Sequence, residues 1–78
     1  MATPNPKDQD FIKKLGEVVR KKRVEKGLTM VQLANECGVE YTTISKIERG
    51  LINTTVSMLY IISKALGTPL NELLKDIE

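Results

Sequence analysis

Apolar residues recur three and four positions apart through most of this chain, the spacing of one helical face. Phe11, Ile12, Leu15, Val18 and Val19 form the first stripe. They predict a helix that runs to about Lys26 and stops at Gly27, a suitable residue to follow a helix end. Asp8 or Asp10 is the candidate N-cap. Gly16 lies within the stripe, although glycine there costs up to about 1 kcal/mol relative to alanine, so it predicts close approach of a neighbouring helix. A second helix is expected from Met30 to Cys37, with Thr29 as N-cap, Leu33 and Ala34 inward, and Gln32, Asn35 and Glu36 outward. Gly38 permits a left-handed turn. A third helix should run from Tyr41 to Glu48, with Glu40 at its N-cap position and Gly50 at its end. Asn53, Thr54 and Thr55 form a polar loop. Leu59, Ile62 and Leu66 then mark the inner side of a fourth helix, Val56 to Leu66. Thr68 is the candidate cap for a last helix from Pro69 to about Asp76, with proline in the favoured first turn. There is no strand pattern and no internal repeat. Five helices with short connections predict an all-α, compact domain over residues 9–78, after a disordered arm at residues 1–8.

Residues 28–50, LTMVQLANECGVEYTTISKIERG, hold two short helices and the tight turn Cys37-Gly38-Val39. The later helix sets small polar residues on one face and Ile44 and Ile47 on the other. That is the layout of a helix-turn-helix, spanning about residues 29–48, whose second helix enters the major groove of duplex DNA. Its N-terminal turns face base edges in that geometry. Tyr41 and Thr42, with Ser45 and Lys46 one turn on, are therefore the base-reading candidates. Lys46 can donate to guanine O6 or N7, the hydroxyls of Thr42 and Ser45 suit either kind of edge, and the threonine methyl suits a thymine methyl. Tyr41 can pack on a thymine methyl or donate to a phosphate. The N-terminus of the second helix offers free amides and a partial positive charge, and Thr29, Gln32 and Thr43 add donors to phosphate.

Charge changes this picture modestly. The net charge is +2. From Lys13 to Lys26 stand seven basic residues (Lys13, Lys14, Arg20, Lys21, Lys22, Arg23, Lys26) against Glu17 and Glu25, while the last twelve residues hold Glu72, Asp76 and Glu78 against Lys75. An anionic polymer would approach the basic end. Aromatic residues are only 4% of the chain, too few for a platform that stacks single-stranded bases. The chain has one cysteine, Cys37, and no histidine. It therefore offers no internal disulfide and no zinc cluster, and Cys37 is expected to fill a small core position. No apolar run is long enough to span a bilayer and the N-terminus is polar, so a cytoplasmic protein is the expectation. Without histidine or a clear pair of carboxylates on one cleft, no enzyme, cofactor, metal or small-molecule ligand is expected.

The strings Gly27-Leu28-Thr29, Leu33-Ala34, Gly38-Val39, Ile44-Ser45 and Ile47-Glu48-Arg49-Gly50 resemble the phage repressor/Cro-like, or Xre-type, helix-turn-helix family. The resemblance continues through NTTVSMLYIISKALGTPLNELL, residues 53–74, and covers roughly residues 11–75. It implies a five-helix fold, double-stranded DNA as partner, a symmetric homodimer and regulation of transcription. It further implies that Arg49, Asn53 and Thr54 follow the phosphate backbone after the recognition helix, and that Arg23 and Glu48 form a structural ion pair tying the first helix to the third. Two positions differ from the family's habit. Met30 stands where glutamine is frequent, and the loop Leu51-Ile52-Asn53-Thr54 lacks the usual proline and basic residues.

One helix-turn-helix reads about half a turn of groove, and two copies about 34 Å apart read a useful site. Met58, Tyr60 and Ile61 of the fourth helix and Leu70, Leu74 and Ile77 of the fifth are surplus to a core this small, and predict a two-fold dimer surface. Leu51 and Ile52 lie where they can join it. The leading expectation is a sequence-specific regulator that occupies a (pseudo)palindromic operator as a homodimer, of the restriction–modification controller or phage-repressor kind. The alternative is an antitoxin-like module that neutralises a partner protein, with DNA binding secondary.

Overall fold

The computed structural model describes residues 6–75 and residue 77, with side chains from Gln9 onward. Its described residues form five helices: α1 Pro6–Glu25, α2 Met30–Cys37, α3 Tyr41–Glu48, α4 Val56–Leu66 and α5 Leu70–Lys75. None of them is long and apolar enough to cross a membrane.

The predicted stripes converge on one core. Leu15, Val18 and Val19 of α1, Leu33 and Ala34 of α2, Ile44 and Ile47 of α3, and Leu59, Ile62 and Leu66 of α4 are all buried. Leu73 and Ile77 close it from the C-terminal side, and Cys37 occupies the small apolar position expected of it. α2 packs on α3 and α4, and α1 packs on α3, α4 and α5. The helix-turn-helix thus rests on a frame made by the other three helices.

Local capping sets the helix ends. Thr29 Oγ1 accepts from the Gln32 amide at 3.0 Å, and Gln32 Oε1 accepts from the Thr29 amide at 2.8 Å, a complete capping box. Thr55 Oγ1 accepts from the Met58 amide at 3.1 Å and starts α4. Gly38 adopts φ 70°, a left-handed conformation that closes α2 and redirects the chain into α3. The Val39 amide then donates to the Ala34 carbonyl at 3.0 Å, which fixes the angle between the two helices.

Four boundary expectations are corrected. α1 begins at Pro6, so Pro6 to Asp8 are helical rather than part of an arm; residues 1–5 lie outside the described residues. Asp8 and Asp10 lie within α1, past its first residue, so neither stands at its N-cap position. Proline tolerates a first turn because its missing amide has no intrahelical partner there. Glu40 takes the N-cap position of α3 but makes no side-chain cap bond. Thr68 does not cap α5 either: its hydroxyl donates back to the Leu66 carbonyl at 3.4 Å, satisfying the end of α4. Pro69 precedes α5, and its carbonyl accepts from the Leu73 amide at 3.0 Å.

Candidate nucleic-acid interface

α3 presents two faces because eight residues of helix alternate apolar and polar at helical spacing. Ile44 and Ile47 are fully buried, each contributing about 1.5–3 kcal/mol of transfer free energy. On the opposite side Tyr41, Thr42 and Lys46 are exposed and Ser45 is half-buried. The four base-reading candidates therefore share the outward side of one helix. Tyr41 is 46% exposed even though it is a large aromatic residue at the helix start.

The phosphate candidates lie at the start of α2, in the first turn of α3 and in the segment that follows α3. Thr29 and Gln32 are exposed at the α2 N-terminus, where the capping box orders them. The box uses Gln32 Oε1 and leaves its two Nε2 donors unengaged among the described residues. The Thr-x-x-Gln spacing of residues 29–32 carries this capping box in the sequence itself, and it engages Gln32 beyond the outward donor role expected of it. Thr43 is half-buried in the first turn of α3, where its amide bonds the Glu40 carbonyl at 3.0 Å. Beyond α3, Arg49 and Asn53 are exposed and Thr54 is half-buried. Met30 lies half-buried against the core, so that position serves packing here rather than polar recognition.

The orientation of α3 is set by α1. Arg23 Nε donates to Glu48 Oε2 at 2.7 Å and Nη2 donates to Glu48 Oε1 at 3.0 Å, a bidentate pair. Arg23 Nη1 also donates to the Leu28 carbonyl at 2.8 Å, so one guanidinium joins α1, the loop before α2 and the end of α3. The side chains are 11% and 4% exposed. The hydrogen bonds from Arg23 to Glu48 raise the Arg23 pKa further above its already high ordinary value, burial opposes this, and attraction to Glu48 adds to it. Such a pair fixes orientation more than it adds net stability. Gly16 completes the docking, because a Cβ there would stand 2.3 Å from the Ile47 carbonyl oxygen and 2.8 Å from that of Glu48. The neighbour predicted for Gly16 is thus the end of the recognition helix itself.

A helix-turn-helix whose second helix carries a polar outward face, tied by an arginine–glutamate pair to the preceding helix, matches one family model, HTH_3, over residues 19–73. The chain belongs to this helix-turn-helix family. It is 38% identical over 64 residues to an uncharacterized transcriptional regulator in the ATPase CF(0) region of Rhodospirillum rubrum. That match takes in 82% of this chain but 59% of the relative's length. It is 42% identical over 60 residues to the control protein C.BamHI of Bacillus amyloliquefaciens, covering 76% of this chain and 74% of that protein. Its fold matches the crystal structure of the restriction-modification controller protein C.AhdI from Aeromonas hydrophila with a TM-score of 0.77 and 30% identity, over 82% of this chain and 96% of that one.

The expected dimer surface is redistributed by the fold. Tyr60 and Ile61 remain exposed at 53% and 40%. Leu51, Ile52 and Val56 join them as exposed apolar residues on the preceding loop and at the start of α4. Met58, Leu70 and Leu74 are half-buried against the chain's own core, and Ile77 is 7% exposed within it. Ile77, which follows the end of α5, therefore does not offer the surface expected of it: it packs into the core itself. The Lys64 ammonium sits 5.4 Å from the Tyr60 ring centroid, covering part of that ring with a cation.

Proposed function

We propose that this family member is a sequence-specific, double-stranded DNA-binding transcriptional regulator that acts as a homodimer on a (pseudo)palindromic operator. The observation that carries this reading is α3: its apolar half is fully buried while Tyr41, Thr42, Ser45 and Lys46 share its outward side. Lys46 donates to guanine, Thr42 and Ser45 bond base edges, and Tyr41 packs at the first position of the helix. Thr29, Gln32 and Thr43 at the starts of α2 and α3, and Arg49, Asn53 and Thr54 after α3, hold phosphates and set the register. Two copies meet through Tyr60, Ile61 and the neighbouring Leu51, Ile52 and Val56. This brings two recognition helices to successive turns of the groove. The resemblance to C.BamHI and C.AhdI supports a controller-type role, in which operator occupancy follows protein concentration.

Selection from a random duplex library tests this directly. The wild type should enrich a palindrome. A Thr42→Ala/Lys46→Ala variant with an unchanged circular dichroism spectrum should bind that palindrome about tenfold or more weakly, since a good base contact is worth about 1–3 kcal/mol. An unselective pool, or equal binding by the variant, would remove base reading from α3.

A further inference from the structure

We propose that Lys13 is an additional phosphate contact of this protein, carried by α1 and placed at the flank of the DNA site by the close approach of Gly50. The proposal rests on the DNA-binding reading above.

Seven basic residues in fourteen positions look like one patch in sequence, but a helix turns them to different sides. Arg23 is committed to Glu48. The Lys26 ammonium lies 3.3 Å from where a Cβ on Gly67 would stand, beside the closing turn of α4. Arg20 and Lys21 line a groove shared with Glu17, Glu25 and Glu48, three carboxylates that disfavour a phosphate. Lys14 lies with Asp10, Phe11 and Ile77 on the side of α1 that meets the C-terminal end of the chain.

Lys13 has a different neighbourhood. A Cβ built on Gly50 would stand 2.9 Å from Lys13 Cα, 3.3 Å from its Cβ and 3.5 Å from its Cγ. Gly50 has φ 69° and ends α3, directly after Arg49 and three residues before Asn53. The root of the Lys13 side chain therefore abuts the segment that carries the backbone-following residues. Lys13 is exposed, and among the described residues it forms no ion pair, although Glu17 lies one turn along the same helix. Lys13, Gly16, Arg20 and Arg23 fall on one stripe of α1; along it Gly16 and Arg23 meet the last residues of α3, and Lys13 meets Gly50 just beyond them. Glycine at residue 50 is what allows this approach, since any side chain there would push α1 outward. An exposed ammonium next to the last turn of a recognition helix extends the phosphate-binding edge onto a second helix. The simpler role for such a lysine is to complement the negative end of α3, which needs no DNA.

Salt dependence separates the two roles. Full-length wild type, Lys13→Gln, Lys13→Arg and Lys14→Gln would be titrated against the selected duplex and a scrambled duplex at several salt concentrations. A phosphate contact predicts that Lys13→Gln lowers the slope of log K against log salt by about 0.9 and weakens both duplexes by the same factor. Lys13→Arg should keep the slope, and so should Lys14→Gln, which removes the same charge from a different side. A Lys13→Gln protein that binds with the wild-type slope overturns the proposal, whether or not its melting temperature falls. A wild type that binds no duplex would instead refute the DNA-binding reading, and this one with it.

Discussion

Gly16→Ala is a small perturbation with opposing consequences. Alanine is the better helix former, and in an unobstructed helix the exchange should stabilise by up to about 1 kcal/mol. Gly16 is not unobstructed. The new Cβ would stand 2.3 Å from the Ile47 carbonyl oxygen and 2.8 Å from that of Glu48, against an ordinary contact of 3.4 Å or more. Relief requires α1 and the end of α3 to separate by about 1.1 Å, the difference between 2.3 and 3.4 Å. Neither carbonyl is a flexible tip. That of Ile47 accepts from the Gly50 amide at 3.1 Å, and Glu48 is held through its side chain by Arg23. Overpacking of this kind costs typically 1–3 kcal/mol, and a rigid backbone neighbour puts this site at the upper end. The net expectation is destabilisation by about 1–2 kcal/mol, or a melting temperature lower by roughly 4–16 °C in a domain of this size. Thermal and urea denaturation followed by circular dichroism would measure it. Gly27→Ala is the control: Gly27 has φ 72° with nothing within 4 Å of a Cβ, so only backbone strain of about 1–2 kcal/mol applies. The two variants differ in what happens to α3. Gly16→Ala should also weaken operator binding when measured well below its melting temperature, because the recognition helix shifts with the clash, whereas Gly27→Ala should not. A Gly16→Ala protein as stable as the wild type, with unchanged DNA affinity, would refute the claim that this contact positions α3.

Other expectations follow from the same frame. Arg23→Met or Glu48→Leu alone should destabilise by about 3–5 kcal/mol by leaving a buried charge without its partner, while the double variant should recover much of that loss; a chemical-denaturation cycle that shows simple additivity would refute the coupling. Burial, and secondarily Glu36, raises the Cys37 thiol above its ordinary value of 9.0. The folded-state pKa is the higher one, so this contribution is fully present below about pH 9 and is lost as pH rises through the folded value. Comparison with Cys37→Ala should show a steeper alkaline loss of stability in the wild type, and the native thiol should react slowly with a disulfide reagent at pH 7. Tyr60→Glu with Ile61→Ser, both exposed, should leave the fold intact and produce a monomer by analytical ultracentrifugation; an unchanged dimer would place the interface elsewhere.

The elements were legible because helices with one buried stripe write their period into the chain. Leu33, Ala34, Ile44, Ile47, Leu59, Ile62 and Leu66 were all read as inward from spacing alone, and all are buried. Gly38 and Gly50 signalled the ends of α2 and α3, and both have positive φ. Local signals were less reliable where two donors or acceptors compete. Thr68 has the composition of a cap for α5, yet its hydroxyl donates to the Leu66 carbonyl at the end of α4.

What the sequence determined by itself is therefore the helix set, the inner face of each helix and the helix-turn-helix within it, since all of these depend on residues a few positions apart. The tertiary structure decided the rest. It showed that Gly16 yields to the end of α3 rather than to some other helix, and that the basic run on α1 is divided among separate sides of the molecule. It also showed that Ile77 belongs to the core while Tyr60 and Ile61 stay outside. These depend on how helices distant in sequence are rotated and stacked, a choice made by the packing of the whole core and not by the period of any one segment.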